Sequence, residues 1–357
     1  MTTSNQSLAI NRVDISKTQL HRETVQFLAD GEVLLAIKRF SLTANNVTYA
    51  VFGDIMKYWD FFPSSAAGFG QVPVWGFADV IESRAQDVEI GTRVYGYFPM
   101  SNHLKVIPSK VSPYSFVDAM PFRQPMAAAY NRYEIVTQGD SENESRIALL
   151  KPLFITGFLL DDWITGKKIW DASNVIASSA SSKTAMSMAA CLKRRGGVTV
   201  TGLTSARSQA FVAASGYYDK VVTYDDLSAL AGGDSIYVDF AGDGDVTRHV
   251  HEILGESLKQ SIIVGGSHWD AATSNALPLP GPKPEMFFAP THIERLAAAW
   301  GGQEFGRAVS AALDRFVHDS RGWLNVHEYA GLQAARHSWA RLLANDVKAE
   351  EGIIITL

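Results

Sequence analysis

The sequence contains a single cysteine, Cys191, among its 357 residues. A lone cysteine excludes a disulfide framework and a zinc site built from several thiolates. The sequence also lacks an uninterrupted apolar run of the roughly 20 residues that a membrane span requires. Its first residues, MTTSNQSLAINR, are polar and do not form the apolar core of a signal peptide. We therefore expect a soluble cytoplasmic protein that does not enter a membrane.

An excess of positive charge is absent as well. The formal net charge is −5, from 32 basic and 37 acidic residues, so the composition offers no basic surface for nucleic acid or for anionic lipid. Hydrophobic residues make up 46% of the sequence and charged residues 19%, which is typical of a globular protein rather than a disordered one. The length exceeds that of one ordinary core, and we expect two domains.

Two kinds of pattern divide the chain and predict its fold class. Short apolar segments broken by glycine and proline predict strands at 32–40, 77–83, 92–98, 104–108 and 352–357. In between, expected strands (174–177, 198–203, 220–223, 235–240 and 261–264) alternate with expected helices (182–195, 208–215 and 249–258). This alternation indicates a parallel sheet with helices on both faces. The predicted fold is α/β: a Rossmann-type, doubly wound domain and a β-rich domain that the strand at 352–357 completes.

The first strand-to-helix turn of the alternation, within NVIASSASSKTA at 174–185, is the most informative segment. A helix N-terminus presents unpaired N–H groups and the positive end of the helix dipole, and small residues let a phosphate approach them. The usual dinucleotide turn has three glycines, and here none is present. The residues predicted to contact a phosphate in their place are Ser178, Ser181, Ser182, Lys183 and Thr184. An ordinary serine-rich helix cap is the structural alternative.

The ends of the later strands favour the phosphorylated dinucleotide. An acidic residue after the second strand would favour NAD, whereas Thr204, Ser205 and Arg207 offer hydroxyl groups and a cation for the 2′-phosphate of NADP(H). A solvated arginine is the alternative for Arg207. Because the carboxyl ends of parallel strands line one crevice, further cofactor contacts are expected there. They are Tyr224, Asp239, Ala241, Gly242 and Gly265, and capping of the following turn is the alternative for Asp239.

The same turn has the spacing of a Walker phosphate loop. Ala177 and the run 182–184 (Ser-Lys-Thr) stand where G-x-x-x-x-G-K-[ST] would be, and 237–239 resembles the acidic strand that holds magnesium. Both required glycines are missing, and their positive-φ positions are unfavourable for alanine or serine. A nucleotide triphosphatase is therefore the weaker alternative.

Four stretches resemble motifs of one family: 32–46 its opening strand and G-x-N-x-x-D turn, 72–82 the P-x-x-x-G-H-E-x-x-G-x-V stretch, 88–96 the V-x-x-F-x-V-G-D-R-V-x-G stretch, and 351–357 its terminal strand. Over nearly its whole length the chain thus resembles the medium-chain dehydrogenase/reductase superfamily, on its zinc-independent, quinone-reductase-like side. The zinc enzymes of that family carry cysteine where Asn45 and Asn46 stand, and His and Glu where Phe77 and Ala78 stand. The resemblance therefore implies a reductase without zinc.

The resemblance also implies an organisation and a cofactor. A GroES-like catalytic domain is expected at 1–124 and 319–357, and a Rossmann-type cofactor domain at 125–318. NADP(H) would lie with its nicotinamide in the cleft between the two domains. A homodimer through the edge of the cofactor domain is the oligomer that the family analogy suggests.

Without zinc, a hydroxyl, an amide or water must polarise the substrate oxygen. The catalytic candidates are Asn46 and Tyr49, with Tyr58 as second choice; near neutral pH a tyrosine donates a proton rather than accepting one, and a packed aromatic is the alternative for Tyr49. The substrate-pocket candidates are Trp59, Trp75, Phe98, His268 and Trp269, and Tyr130 is a further one. We predict hydride transfer from NADPH to a carbonyl, quinone or α,β-unsaturated small molecule. A non-catalytic binding or accessory protein that keeps the fold is the alternative.

Overall fold

A computed structural model describes residues 3–166, 172–230, 232–264 and 279–357 of the chain. The chain divides into two compact units, Met1–Leu149 with Leu324–Leu357, and Leu150–Trp323. We call them the first and the second unit. The sequence analysis placed the boundaries at 124/125 and 318/319, whereas in the structure residues 125–149 pack with the first unit and residues 319–323 with the second.

The described residues form the following strands and helices. The strands are β1 (Thr3–Asn11), β2 (Thr18–Val25), β3 (Val33–Leu42), β4 (Phe69–Gly70), β5 (Pro73–Ser83), β6 (Arg93–Pro99), β7 (His103–Val106), β8 (Pro108–Ser112), β9 (Ser115–Asp118), β10 (Arg132–Val136), β11 (Asn174–Ala177), β12 (Thr199–Thr204), β13 (Lys220–Thr223), β14 (Ser235–Asp239), β15 (Leu258–Ile263), β16 (Glu285–Met286), β17 (Asn325–Ala330) and β18 (Glu351–Thr356). The helices are α1 (Ala44–Val51), α2 (Ser141–Gly166), α3 (Lys183–Arg195), α4 (Gln209–Ala214), α5 (Gly244–Leu254), α6 (Ala289–Trp300), α7 (Gly302–Asp319) and α8 (Gly331–Leu343).

The first unit is β-rich, as the sequence predicted. Its main sheet has the order β17-β18-β3-β5-β6-β10-β9-β8, with β7 also paired to β3, and a smaller sheet has the order β2-β1-β4. Strand β18 pairs antiparallel with β3, which confirms that the last strand completes the N-terminal β unit. The core contains the β3 residues Val33, Leu35 and Phe40, none of which is exposed. Burial continues without alternation from Val33 to Ile37 and again from Phe40 to Leu42, so both faces of β3 are covered along most of its length.

A buried ion network ties the start of α2 to the main sheet of the first unit. The guanidinium of Arg93, on β6, donates to both carboxylate oxygens of Glu144 and to Asp79 on β5, each over 2.6 Å. Arg93 and Glu144 are almost fully buried. Arg39 on β3 lies 3.4 Å from the same Glu144 carboxylate. The hydrogen bonds offset the cost of removing these charges from water.

The second unit contains a parallel sheet of the order β13-β12-β11-β14-β15-β16. Strands β11, β12, β13 and β14 are joined through segments that include α3 and α4, so the predicted α/β alternation is confirmed. Strand β11 lies between β12 and β14. The chain adds β12 and β13 on one side of β11 and then β14 and β15 on the other side, so the order of the strands reverses at β11. In a parallel sheet, ligands bind beside the carboxyl ends of the strands at such a point.

His251, on α5, gives the second unit a pH-dependent contribution to stability. Its Nδ1 donates to the carbonyl oxygen of Pro280 over 2.8 Å, and its Nε2 lies 2.9 Å from Ser261 Oγ, an arrangement that suits the neutral ring. Burial lowers the pKa of His251 below its ordinary value near 6.5. The unfolded chain therefore binds the proton more tightly than the folded one, so this contribution is present above the unfolded pKa and is lost as the pH falls below it.

We expect urea unfolding midpoints to fall between about pH 7 and about pH 5, a window that spans the unfolded pKa. His251→Gln should flatten that decline, because glutamine does not titrate, whereas the exposed His337→Gln should leave it unchanged. A decline of equal steepness in the His251→Gln protein would contradict this assignment.

Candidate functional site

The turn between β11 and α3 supplies a positive φ without glycine. Ser179 has φ of +46°, in the left-handed region that glycine usually occupies. Ser182 is the N-cap of α3, and its hydroxyl oxygen accepts from the N–H of Ala185 over 3.3 Å. Ser179 thus takes the backbone conformation that glycine usually supplies, and Ser182 caps the helix that follows.

Ser178 and Asp239 fasten this turn to the end of β14. The Ser178 hydroxyl donates to Asp239 Oδ1 over 2.7 Å and accepts from the N–H groups of Phe240 and Ala241. Asp239 Oδ1 also accepts from the N–H groups of Ala241 and Gly242. Both side chains are buried, and their hydrogen bonds are made within the protein. They therefore shape the site. The contacts of Asp239 are those of a residue that caps the following turn, which is the structural alternative given for it above.

Tyr224, which follows β13, reaches the same turn. Its hydroxyl oxygen accepts from the N–H of Ser179 over 2.7 Å. Burial raises the pKa of Tyr224, and the carboxylates of Asp239 and Asp243 add to that effect. The phenol therefore stays protonated near neutral pH and keeps its own proton available for donation.

The beginning of α3 is the more open side of the turn. Ser181, Ser182, Lys183 and Thr184 are each partly exposed. Within the described residues, the hydroxyl groups of Ser181 and Thr184 make no hydrogen bond. These groups lie at the positive end of the helix dipole, so this part of the turn can receive a phosphate.

The end of β12 contributes a cation to the same edge of the sheet. Arg207 is exposed, and over the described ranges its guanidinium has no ion pair. Thr204 is buried, and its carbonyl oxygen accepts from the N–H of Tyr224 over 3.0 Å. Ser205 is partly exposed beside them. The structure therefore gathers the predicted contacts from β11, β12, β13 and β14 at one sheet edge; Gly265, His268 and Trp269 lie outside the described residues.

In the first unit, aromatic side chains form a group that we call the tyrosine cluster; its members are Tyr49, Tyr58, Trp75, Tyr97 and Tyr130. The rings of Tyr49 and Tyr58 have centroids 4.5 Å apart, and Trp75 Nε1 donates to the Tyr49 hydroxyl over 3.4 Å. Tyr97 lies 4.9 Å from both Trp75 and Tyr130, between ring centroids. Burial raises the pKa of Tyr49 well above its ordinary value, and Tyr58 beside it adds to the shift, so the Tyr49 phenol stays protonated near neutral pH.

Strand β6 contributes Tyr97 to the tyrosine cluster. Phe98, which the sequence predicts in a substrate pocket, is fully buried in the core of the first unit, and Tyr97 is buried in the same core. Tyr97 joins the tyrosine cluster because β5 and β6 pair so that Trp75 lies opposite Tyr97. Paired residues of antiparallel strands share a face, so strand alternation counted from Trp75 was the signal that identifies Tyr97.

Three other residues occupy structural positions. Two of them, Asn46 and Trp59, are candidates from the sequence, and the third, Arg123, is not. Asn46 holds the start of α1: its Oδ1 accepts from the N–H of Thr43 over 2.8 Å and its Nδ2 donates to the carbonyl of Pro73 over 2.9 Å. Trp59 is 3% exposed. Arg123, which sequence reasoning missed, is fully buried and donates to the carbonyl of Tyr130 over 2.6 Å.

Metal and membrane features are not seen in the part of the chain that the structure describes. No group of three or more His, Cys, Asp or Glu side chains is placed to hold a metal ion among these residues. No helix within the same ranges is long and apolar enough to cross a membrane.

Solved structures share this fold. CurA from Vibrio vulnificus, in complex with NADPH, is 15% identical with a TM-score of 0.64, and the match covers 98% of each chain. The yhdH oxidoreductase from Salmonella enterica, in complex with NADP, is 14% identical with a TM-score of 0.56, over 99% of each chain. A mutant form of enoyl thioester reductase from Candida tropicalis is 12% identical with a TM-score of 0.57, over 99% of this chain and 100% of that chain.

These likenesses show that the chain has the fold of these structures over nearly its whole length, which confirms the predicted α/β fold with a parallel-sheet unit and a β-rich unit. A search of the curated proteins gives no match. The family model described as "Protein of unknown function (DUF2855)" matches residues 40–348. Since this match spans most of the sequence, the chain belongs to the DUF2855 family.

Proposed function

We propose that this protein is an NADPH-dependent, zinc-independent oxidoreductase that reduces a carbonyl, quinone or α,β-unsaturated small molecule. The observation that carries the proposal is the glycine-free turn, in which Ser179 adopts a positive φ and the first residues of α3 are partly exposed, with hydroxyl groups at Ser181 and Thr184 that make no hydrogen bond to any described residue. Solved relatives of the same fold contain NADPH or NADP, which supports the choice of cofactor.

The residues at the turn fit a dinucleotide phosphate. Ser181, Thr184 and the N-terminus of α3 would hold the pyrophosphate by hydrogen bonds and by the helix dipole. The Tyr224 hydroxyl, whose oxygen already accepts from Ser179, would donate its proton to a phosphate oxygen. Arg207 would pair with the 2′-phosphate, which distinguishes NADPH from NADH.

When bound, NADPH supplies the hydride. The chain must then supply a proton or hydrogen bond to the substrate oxygen, since the hydride leaves negative charge there. Tyr49 suits this role because Trp75 donates to its oxygen and leaves the phenolic proton for the substrate. Tyr58, half-buried and with a pKa raised by burial, is the neighbouring donor.

Arg207→Ala is expected to weaken NADPH binding by about 10- to 100-fold, as for the loss of a hydrogen bond between charged groups. NADH binding should remain within about twofold of the wild type, because NADH has no 2′-phosphate for Arg207 to contact. Titration of both nucleotides, followed by nicotinamide fluorescence, measures the two dissociation constants.

Arg194→Ala is a matched control, since Arg194 is an exposed arginine of the same unit that lies at the end of α3. Absence of binding by both nucleotides to the wild-type protein would refute the proposed function. Equal losses for NADPH and NADH would refute the role of Arg207 alone. Binding without oxidation of NADPH by quinones or enals would favour the accessory-protein alternative.

A further inference from the structure

Arg123 is a charged residue that the first unit buries completely. Its guanidinium donates to three uncharged acceptors, which are Asn131 Oδ1 over 2.9 Å, the carbonyl of Tyr130 over 2.6 Å and the hydroxyl of Tyr133 over 3.3 Å. Asp118 Oδ2 lies 3.7 Å away, which is longer than a hydrogen bond. Removing a charge from water is costly, and a buried apolar side chain of similar volume avoids that cost. Packing alone therefore does not account for an arginine at this position.

The hydrogen bonds of Arg123 fix the backbone of two members of the tyrosine cluster. The first is Tyr130, whose carbonyl accepts directly from the guanidinium. The second is Tyr97, whose carbonyl accepts from the Tyr133 hydroxyl over 2.8 Å, and that hydroxyl in turn accepts from Arg123. Asn131 Nδ2 donates back to the carbonyl of Arg123 over 2.7 Å, which closes the loop between these two residues. The planar guanidinium holds its acceptors in fixed directions, which a lysine ammonium does not.

Ring contacts connect Arg123 to the same part of the cluster. The guanidinium carbon lies 4.7 Å from the centre of the Phe62 ring and 5.5 Å from that of Phe61, within the range of a cation–π contact. Phe61 packs against Tyr97 and Tyr130, with ring centroids 5.2 Å and 5.3 Å apart. These two tyrosines therefore rest on Arg123 through their backbone and through their rings.

The same two tyrosines contact the proton-donor candidates. The Tyr97 ring stands edge-on to Tyr49, with centroids 5.8 Å apart, and the Tyr130 ring stands edge-on to Tyr58, with centroids 6.4 Å apart. A shift of either ring would therefore move the phenol beside it. A misplacement of about 1 Å in a reacting group can lower a rate by about 100-fold.

We propose that Arg123 is a positioning residue for the proton donor: by holding its side of the tyrosine cluster in place, it sets the direction of the Tyr49 phenol. The inference rests on the proposed function, because the direction of the phenol matters only where a substrate takes its proton. Arg123 acts through the tyrosines and is not among the residues proposed to hold the nucleotide.

Arg123→Lys tests the proposal in the full-length protein, because lysine keeps the charge and loses the fork of donors. We expect kcat for NADPH-dependent reduction of the quinone menadione to fall by about 10- to 100-fold. The NADPH dissociation constant should stay within about twofold of the wild type. In a Tyr49→Phe background, Arg123→Lys should lower kcat by no more than about twofold, because it acts through the Tyr49 phenol. A general loss of stability would instead multiply the two effects.

Tyr133→Phe is a second variant, which stays informative if Arg123→Lys does not fold. It keeps the ring and removes the hydroxyl that links Arg123 to the Tyr97 carbonyl, so kcat should fall by about tenfold, the effect of one hydrogen bond. Arg132→Lys is the matched control, since Arg132 is an exposed arginine at the start of β10, and its kcat should equal that of the wild type.

Wild-type kcat values in both Arg123→Lys and Tyr133→Phe would overturn the proposal, and so would losses that multiply with that of Tyr49→Phe. Near-ultraviolet circular dichroism separates this result from a failure of the proposed function, since it reports the packing of tyrosine rings without turnover. The tyrosine bands of Arg123→Lys should be weaker than those of the wild type. If the wild type reduces neither quinones nor enals, the proposed function fails; weakened bands would then still support the hold of Arg123 on the cluster, and unchanged bands would overturn it.

Discussion

Replacement of Glu144 by leucine is expected to lower the free energy of unfolding by about 3–5 kcal/mol, the cost of breaking a buried ion pair. Among the described residues, the substitution leaves the Arg93 guanidinium buried on β6 with only Asp79 as its hydrogen-bonded partner. Arg93→Met should cost a similar amount, because it leaves the buried Glu144 carboxylate with Arg39 as its one cationic neighbour in the same described ranges. Urea unfolding, followed by circular dichroism, measures both values.

The double variant separates the cost of a lone charge from the value of the pair. Arg93→Met combined with Glu144→Leu removes both charges, so it is expected to be less destabilised than the sum of the two single variants by about 2 kcal/mol or more. Strict additivity of the two losses would show that the charges are not coupled. Glu82→Leu is a suitable control, since Glu82 is exposed on β5 and makes no ion pair within the described residues, and its effect should be under about 0.5 kcal/mol.

Tyr49→Phe is expected to lower kcat/KM about 100-fold for NADPH-dependent reduction of menadione, the usual size of a lost acid–base contribution. This expectation rests on the proposed function. The Tyr49 oxygen already accepts a hydrogen bond from Trp75, which orients its own proton. The NADPH dissociation constant should not change, because Tyr49 is not among the residues proposed to hold the nucleotide. Steady-state kinetics and a nucleotide titration give the two readouts.

Tyr114→Phe controls for loss of a phenol at the surface, since Tyr114 is 77% exposed; its kinetics should match those of the wild type. Full activity of Tyr49→Phe would contradict the assignment. A 100-fold loss in Tyr58→Phe with normal activity in Tyr49→Phe would move the proton donor to Tyr58.

The architecture could be predicted because it leaves strong local signals. Buried parallel strands need short runs of apolar residues, and β11 (NVIA) and β14 (SIYVD) are such runs, with serine-, glycine- and aspartate-containing turns at their ends. The serine turn was also visible, because a strand followed by small residues and then by a helical segment has one common geometry. These features depend on residues close together in the chain.

The roles of individual polar side chains could not be predicted in the same way. Asn46 was chosen for its amide, but that amide bonds to Pro73 in a distant segment. The contact of Ser178 with Asp239 likewise joins the residue that follows β11 to the last residue of β14. Such partners are fixed by strand register and by loop closure, and a single sequence carries no direct record of either.

The position of β18 bears on how the molecule assembles during synthesis. That strand lies inside the main sheet, between β17 and β3, yet it is translated after the whole second unit. The second unit is contiguous and can form while the ribosome is still at work. Until β18 arrives, β3 has an unpaired edge that other chains can add to. We therefore expect nascent chains stalled before residue 351 to engage chaperones through β3, and release of the last strand to end that engagement.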